Sequence, residues 1–345
     1  MGRSFTKGCS KLGGRKMNLE DNYGRKHDYL RISITDRCNL RCIYCMGEDG
    51  IKLLNHNEIL TYEEIVGFVK VLSPLGLRRL RITGGEPLVR KGVENLIGSL
   101  SGIAGIEDIA LTTNGELLEP MLDKLMDNGL KRVNISLDSL KPDLYKKITR
   151  VGNLDKVLKG INSALRKGLT PIKINVVLMA GVNDQEIYEF LKLTLDDPIH
   201  VRFIEYMPLD GHDQMWSKRY LPLNAVKEKA AGLGFRLNPE EGLVGNGTAE
   251  TWRIHGAQGT IGFINPVSCH FCSSCTRLRL TADGKFKPCL YWQEEINVRK
   301  ALKNPLVLQS LIKQGLSLKH EKHQMNAQTQ GNEQGYVRSM AQIGG

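Results

Sequence analysis

Three cysteines lie close together near the amino end of this chain, spaced as Cys38-x3-Cys42-x2-Cys45. Any fold that uses them together must bring their thiols to one place. Three thiolates suit a cubane 4Fe–4S cluster and leave one iron without a protein ligand, where a small molecule can bind. A second group, Cys269-x2-Cys272-x2-Cys275-x13-Cys289, follows near the carboxyl end. Its four thiolates suit either zinc or a second 4Fe–4S cluster, and spacing alone leaves both open.

Two other uses of the first cysteine group are disfavoured. Zinc would need a fourth nitrogen or sulfur ligand, and His56 is too distant in sequence to supply it. A disulfide framework is typical of small secreted chains, whereas this chain has 345 residues and no secretory signal peptide. Cysteines that hold metal need a reducing compartment. We therefore expect the cytoplasm or another reducing compartment, such as the mitochondrial matrix, and no secretion.

Composition narrows the class of protein. With 345 residues, 41% of them apolar, the chain can bury a large core as one barrel or as two domains. It has no apolar run of about 18 residues, so no membrane span is expected. The net charge of +11 admits nucleic acid, a membrane surface or a polyanionic small substrate. Aromatic residues make up only 6%, which leaves few platforms for stacking bases and disfavours nucleic acid.

Short β-rich runs alternate with helical stretches between about residues 29 and 207. The predicted strands are Leu30–Ile34, Leu80–Thr83, Asp108–Thr112, Val133–Leu137, Ile172–Leu178 and Val201–Tyr206. The predicted helices include Tyr62–Leu75, Leu154–Lys167 and Gln185–Asp196. This alternation is typical of parallel βαβ units, in an open sheet or in a (βα) barrel.

The alternation of side chains within the strands favours the barrel. In the first strand Leu30 and Ile32 share one face and Arg31 lies on the other, because successive side chains point to opposite faces. The second, fourth and fifth strands repeat this pattern. A flat parallel sheet covered on both sides should be apolar on both faces. We therefore predict an incomplete (βα)6 TIM-type barrel with a polar, cationic lumen suited to a charged ligand, and a hairpin over Thr251–Ile264 beyond it.

Sites in such barrels lie at the carboxyl ends of the strands. The segments that end there are the cysteine loop, Gly84-Gly85-Glu86-Pro87, Thr112-Thr113-Asn114-Gly115, Ser136-Leu137-Asp138-Ser139 and Glu205-Tyr206-Met207-Pro208. We divide the chain into a disordered basic lead-in over residues 1–22, a partial barrel over 23–210 and a carboxyl-terminal region over 211–345. Residues 319–339 are polar and expected to be loose.

With both cysteine groups, Gly84-Gly85-Glu86-Pro87, Arg277-Leu278-Arg279 and the Gly344-Gly345 end, the chain resembles one enzyme family. These are the radical S-adenosylmethionine (SAM) GTP 3′,8-cyclases, lyases that begin molybdenum-cofactor biosynthesis. The resemblance implies a radical SAM partial barrel, whose open side is covered by a carboxyl-terminal region that carries a second cluster. It also implies cleavage of SAM to a 5′-deoxyadenosyl radical, hydrogen removal at C3′ of GTP and attack of the sugar radical on C8 of guanine.

The resemblance also implies roles for individual residues. Metal ligands would be Cys38, Cys42 and Cys45 for the first 4Fe–4S cluster and Cys272, Cys275 and Cys289 for the second. SAM contacts would be Tyr44, Gly84, Gly85, Glu86, Ser136 and Met207. GTP contacts would be Arg31, Arg81, Thr112, Lys173, Arg277, Leu278 and Arg279. Catalytic positions would be Arg31, Arg277, Arg279, Gly344 and Gly345, with the last two forming a tail that reaches the active site.

The implied partners are GTP, an electron-donating reductase or flavodoxin-type protein, and the next pathway enzyme, cyclic pyranopterin monophosphate synthase. A homodimer is compatible with the sequence. Two departures from the family pattern stand out: Cys269 is an additional thiol that could close the second cluster, and Gly47 replaces a usual proline. Cys9 has no assigned role. The alternatives are another auxiliary-cluster radical SAM enzyme that acts on a peptide, and a zinc-stapled nucleic-acid-binding protein.

Overall fold

The computed structural model describes residues 18–207, 215–240, 249–324 and 338–344. Residues 1–17 with Cys9, Pro208 and Gly345 lie outside the described residues. The strands are β1 Tyr29–Ser33, β2 Arg79–Thr83, β3 Asp108–Thr113, β4 Arg132–Ser136, β5 Ile172–Leu178, β6 Ile199–Glu205, β7 Leu237–Pro239, β8 Glu250–Ile254, β9 Thr260–Ile264, β10 Arg277–Leu280, β11 Lys285–Lys287 and β12 Ile296–Asn297. The helices are α1 Tyr62–Leu72, α2 Val93–Ser101, α3 Leu118–Asp127, α4 Pro142–Thr149, α5 Leu154–Arg166, α6 Ile187–Lys192, α7 Trp216–Arg219, α8 Asn224–Gly232, α9 Pro305–Ser317 and α10 Met340–Ile343.

The first six strands pair in parallel in sequence order, with helices between them. Each predicted strand overlaps an observed one, and the predicted hairpin is β8 and β9. Among the described residues, no helix has the length and apolarity that crossing a bilayer requires. The mostly parallel α/β sheet expected from the alternating pattern is confirmed.

The carboxyl-terminal region extends this sheet at both edges. Strand β9 pairs in parallel with β6, and β10 pairs in parallel with β1. Eight neighbouring strands are therefore parallel, in the order β10-β1-β2-β3-β4-β5-β6-β9. Antiparallel β11 and β12 flank one end, and β8 and β7 flank the other. Because edge strands expose unpaired backbone groups, these additions satisfy both edges of the six-stranded unit.

The two faces of the strands differ as the alternation predicts. Leu30 and Ile82 are fully buried in the main apolar core, together with Phe68 of α1. Helix α1 begins at a capping box, in which the Thr61 hydroxyl accepts from the Glu64 N–H. The opposite strand face carries Arg31 and its neighbours in the sheet. Burial of the apolar face against helices thus fixes which side chains point into the lumen.

The described parts of two segments predicted to be loose contain packed residues. Leu19 is only 2% exposed, and the Asp21 carboxylate binds Arg25 at 2.6 Å and His27 at 2.9 Å. The lead-in boundary at residue 22 is therefore too late, because a local ion pair and an apolar anchor order residues 18–22. In the second segment Lys319 is 4% exposed, so the predicted loose region cannot begin at residue 319.

Candidate active site

A cavity of about 330 Å³ lies at the carboxyl ends of the barrel strands. Thiols of both cysteine groups line it, although more than 220 residues separate the groups in sequence. Its lining contains these predicted site residues: Arg31, Cys38, Cys42, Tyr44, Cys45, Arg81, Gly84, Gly85, Glu86, Thr112, Ser136, Met207, Cys272, Cys275, Arg277, Arg279 and Cys289. The fold therefore brings together most of the residues singled out in the sequence.

The first cysteine loop is held by the end of α4. The Arg41 N–H donates to the Thr149 carbonyl at 3.0 Å. The next residue, Arg150, has φ 65°, a left-handed conformation that is costly for a side-chain-bearing residue. Its Nη1 donates to the carbonyls of Arg41 at 2.6 Å and Met46 at 3.0 Å. Arg150 thus contacts the backbone on both sides of Cys42 and Cys45 and fixes their separation.

The donors of this loop fit an iron–sulfur cluster. In the part of the chain that the structure describes, Cys38, Cys42 and Cys45 form no disulfide. Burial raises the pKa of Cys38 to about 11 and that of Cys42 well above its usual value. Thiolates at these positions therefore require a bound cation. Among the described residues, no three His, Cys, Asp or Glu side chains converge as closely as a single metal ion demands.

The two glycines after β2 allow the backbone to approach the entrance of the cysteine loop. A Cβ on Gly84 would lie 2.7 Å from the Thr35 carbonyl oxygen, and one on Gly85 would lie 2.4 Å from that of Arg37. The Gly85 N–H donates to the Thr35 carbonyl at 2.7 Å. Any side chain here would separate β2 from the loop. The motif therefore has a packing role beside any contact with SAM.

Glu86 is 1% exposed and points its carboxylate at the end of β3. Its Oε2 accepts the Asn114 N–H at 2.7 Å, while Oε1 accepts the Thr113 hydroxyl at 2.8 Å and the Leu88 N–H at 3.0 Å. Burial raises the pKa of Glu86 to about 7, although the three hydrogen-bond donors act to lower it. The side chain joins β2 to β3 and still lines the cavity.

Tyr44 is fixed by Asp138, a cavity residue that the sequence assigned no role. The Tyr44 hydroxyl donates to Asp138 Oδ2 at 2.7 Å, and Asp138 Oδ1 accepts the Val177 N–H at 2.8 Å. Burial raises the pKa of Asp138 to about 6. The pair links the cysteine loop to β5. Its position after β4, in Ser136-Leu137-Asp138-Ser139, was the signal that could have identified it.

The second cysteine group presents three of its four thiols to the cavity. Cys269 is exposed and lies outside the lining. Lys319 Nζ donates to the Arg277 carbonyl at 2.9 Å and to the Pro288 carbonyl at 2.6 Å. Burial opposes ionisation of Cys275, but Lys319 and Arg277 outweigh it and lower the pKa of this thiol. This environment fits a thiolate ligand.

Arg25 holds the same group from the amino-terminal side. Its Nη1 donates to the Cys272 carbonyl at 2.8 Å and to the Glu321 carbonyl at 2.9 Å, and Nη2 donates to the His320 carbonyl at 2.7 Å. Sequence reasoning missed both Arg25 and Lys319. Neither stands in a recognisable motif, and their contacts span more than 30 residues.

The wall between the two groups is cationic. Arg202 joins the predicted arginines there, and its place in the alternation of β6 was the available signal. Burial and neighbouring arginines lower the pKa of Arg202 to about 9 and that of Arg279 to about 10. Within the part of the chain that the structure describes, the buried atoms Arg81 Nε and Thr112 Oγ1 have no hydrogen-bond partner. Such atoms are expensive to bury, so a bound polar ligand would stabilise them.

Two predicted GTP contacts lie outside the lining. Lys173 is buried on the lumen face of β5, paired in register with Asn134 and His200. Leu278 is fully buried in the apolar core, on the opposite face of β10 from Arg277 and Arg279. If Leu278 contacts the substrate, the contact would have to come from its backbone, because its side chain packs in the core while Arg277 and Arg279 face the lumen.

The carboxyl-terminal tail meets this wall. Arg279 Nη1 donates to the Gly344 carbonyl at 2.6 Å. Gly344 is buried and has φ 68°. A Cβ introduced at this position would lie only 2.6 Å from Thr83 Cγ2. The tail therefore passes beside the ends of β1 and β2, where a side chain has no room. Gly345 lies outside the described residues.

Comparisons with known proteins agree with this geometry. Residues 32–194 match the Radical SAM superfamily, and residues 199–325 match the Molybdenum Cofactor Synthesis C family. The chain is 49% identical to a GTP 3′,8-cyclase of Listeria monocytogenes, covering 95% of this chain and 99% of that one. It is 50% identical to a GTP 3′,8-cyclase of Alkaliphilus metalliredigens, covering 95% and 100%. The chain belongs to the GTP 3′,8-cyclase family.

Solved structures extend the likeness to the fold. The Streptococcus suis protein SuiB bound to S-adenosylmethionine matches with a TM-score of 0.59 at 15% identity, covering 83% of this chain and 64% of that one. The protein anSMEcpe with bound AdoMet matches with a TM-score of 0.53 at 15% identity, covering 84% and 81%. At this identity the likeness shows the radical SAM partial-barrel fold alone. This member of the GTP 3′,8-cyclase family therefore shares its framework with more distant proteins.

Proposed function

We propose that this protein converts GTP to (8S)-3′,8-cyclo-7,8-dihydroguanosine 5′-triphosphate, the first step of molybdenum-cofactor biosynthesis. The observation that carries the proposal is a single cavity lined by both cysteine groups and by a wall of buried arginines. A nucleoside triphosphate complements that wall, because guanidinium groups bind phosphate oxygens with fixed forks of donors. Membership in the cyclase family agrees with it.

Two 4Fe–4S clusters are proposed, one on Cys38, Cys42 and Cys45 and one on Cys272, Cys275 and Cys289. Cys38, Cys42 and Cys45 would hold the first cluster, which with SAM would supply the radical chemistry that removes a hydrogen atom. The residues of the chain position the reactants: the arginines and Lys173 bind the triphosphate, and the second cysteine group anchors guanine. Enclosure in the barrel excludes water from the radical. A reductase or flavodoxin-type donor and cyclic pyranopterin monophosphate synthase are the proposed partners.

An anaerobic assay tests this function. Reconstituted protein receives GTP, SAM and dithionite, and both 5′-deoxyadenosine and the cyclised nucleotide are measured. We expect about eight irons per chain and product that depends on both substrates. One or two zincs per chain, with no product, would overturn the proposal.

A peptide-modifying radical SAM enzyme is the remaining alternative. The solved structures of similar fold include SuiB bound to precursor peptide SuiA. A peptide does not require the cationic wall, and GTP should therefore protect the protein thermally where peptides of mixed charge do not.

A further inference from the structure

Arg338 forms a two-carboxylate clamp at the start of the carboxyl-terminal segment. Its Nε lies 2.8 Å from Glu295 Oε2, and its Nη2 lies 2.8 Å from Asp283 Oδ2. Further bonds run from Nη2 to Glu295 Oε1 at 2.9 Å and from Nη1 to Asp283 Oδ1 at 3.2 Å. The side chains of Arg338 and Asp283 are 15% and 14% exposed. Charges this sheltered are stabilising only when paired, and the bidentate geometry is the strong form of such a pair.

The clamp fastens the segment to the strands that also hold its far end. Asp283 lies in the turn between β10 and β11, four residues after Arg279, and Glu295 directly precedes β12. Arg279 binds the Gly344 carbonyl at 2.6 Å. Both ends of residues 338–344 are therefore attached to the β10–β12 unit. Met340 and Ala341, between the two attachments, line the cavity.

The segment cannot hold this shape by itself. Helix α10 has four residues, and a helix so short is unstable without outside contacts. Its capping box joins Ser339 to Gln342, which orders one turn but does not place it in the cavity. Ala341 and Ile343 are buried, at 2% and 4% exposed, but these two side chains provide only a small apolar contact. The segment therefore depends on its two long-range attachments, at Arg338 and at the Gly344 carbonyl.

We infer that Arg338, held by Asp283 and Glu295, is a positioning residue that holds the tail segment up to Gly344 in place beside the substrate cavity. The inference rests on the proposed cyclase function for its effect on turnover. It does not rest on that function for the clamp itself. It assigns Arg338 no contact with GTP or SAM.

The test uses full-length, reconstituted Arg338→Ala and Arg338→Lys proteins. Arg253→Ala is the matched control, because Arg253 makes an equivalent fork with Glu240 at 3.0 and 3.1 Å in the β7–β8 hairpin, away from the cavity lining. For Arg338→Ala we expect kcat for the cyclised nucleotide to fall about tenfold or more, with KM for GTP within about twofold and iron content unchanged. Arg338→Lys should recover part of kcat, since it keeps one charge but loses the fork.

Hydrogen exchange provides a readout that is independent of turnover. Amides of residues 340–344 should exchange about tenfold faster in Arg338→Ala, and those of β1 should not change. In Arg253→Ala both the tail exchange and kcat should match the parent. Arg338→Ala with parental kcat, or with parental tail exchange, would overturn the inference. If the parent itself forms no cyclised nucleotide, the proposed function fails, and the exchange measurement still decides whether the clamp holds the tail.

Discussion

At the scale of single residues, the dominant feature is positive charge buried around the cavity. Arg279 is 2% exposed and Lys173 is 4% exposed. Neighbouring arginines contribute to lowering the pKa of Arg202, and cations also lower that of Lys173. Mutual repulsion of this kind costs stability in the free protein. A bound triphosphate relieves it, so affinity for GTP is expected to come at the expense of stability without ligand.

Because of Lys173, this trade-off should be measurable as proton uptake when GTP binds. Burial lowers its pKa to about 6, and nearby cations add to the effect. The charged groups around it are Arg202, Arg132, Arg81 and Asp108, with His200 paired beside it in the sheet. A phosphate neighbour favours the protonated amine and raises this pKa again. We predict that GTP binding at about pH 8 takes up close to one proton, and that uptake falls towards zero below about pH 6.

Calorimetry of GTP binding in two buffers of different ionisation enthalpy measures this uptake. Lys173→Met should abolish it and should also change the stability of the ligand-free protein with pH. In the parent, the unfolded chain binds a proton at Lys173 between about pH 6 and the normal lysine pKa and the folded chain does not, so this residue makes stability rise with pH there. Uptake that persists in Lys173→Met would assign the proton to another group.

The thiols at the second site give a sharper residue-level contrast. We predict that Cys269→Ser retains about eight irons and parental turnover, because its thiol is exposed and outside the cavity lining. Cys275→Ser should lose about four irons, because its thiol lines the cavity beside Lys319. Iron and sulfide analysis of the two variants makes the comparison. Loss of iron from Cys269→Ser would mean that the cluster has four protein ligands.

At the scale of elements, the alternation of apolar and polar residues predicted which face of each strand is buried. The alternation in β1 and β2 placed Arg31 and Arg81 in the lumen, because burial of Leu30 and Ile82 leaves no other orientation. Strand β10 shows the limit of such reasoning. Its partner β1 lies about 250 residues earlier, and nothing local in the sequence specifies that pairing. For the same reason the packing of Lys319 could not be predicted from composition, because its carbonyl partners lie on Arg277 and Pro288.

The carboxyl-terminal tail leaves little room for an added side chain at Gly344. We predict that Gly344→Ala retains both clusters and SAM binding but loses about tenfold or more in cyclised product. The added Cβ would lie 2.6 Å from Thr83 Cγ2, at φ 68°, so the tail must move. Product and 5′-deoxyadenosine are measured under saturating substrates. Gly256→Ala, at another positive-φ glycine with no atom within 4 Å of its Cβ, is the matched control; equal losses in both variants would indicate backbone strain alone.

At the scale of the whole molecule, the two family regions form one sheet. The boundary between them falls just before β6, yet β6 pairs with β5 over seven residues and with β9 over five. Glu205, at the end of β6, is 1% exposed and reaches into the second region. Its Oε2 accepts the N–H groups of Val267 at 2.8 Å and Ser268 at 3.0 Å. This carboxylate ties the barrel to the strand end that leads into the second cysteine group.

Replacing Glu205 should therefore weaken a joint that serves both regions. We predict that Glu205→Gln destabilises the protein by about 1.5–3 kcal/mol, because an amide oxygen cannot replace a carboxylate that accepts several donors. The second cluster should assemble less completely than the first. Thermal unfolding and the spectra of the reconstituted clusters measure these effects. Glu228→Gln, on the exposed side of α8, should change neither thermal stability nor cluster assembly. If Glu205→Gln also leaves both unchanged, Glu205 does not join the two regions.

The burial of Gly344 has a practical consequence for handling this protein. An affinity tag, fluorescent protein or degradation signal fused at the carboxyl end would begin close to Gly344, which is already enclosed beside Arg279 and Thr83. Such a fusion would either withdraw the tail or obstruct the reaction space. A carboxyl-terminal fusion that inactivates the enzyme would therefore report the location of the tag rather than damage to the fold.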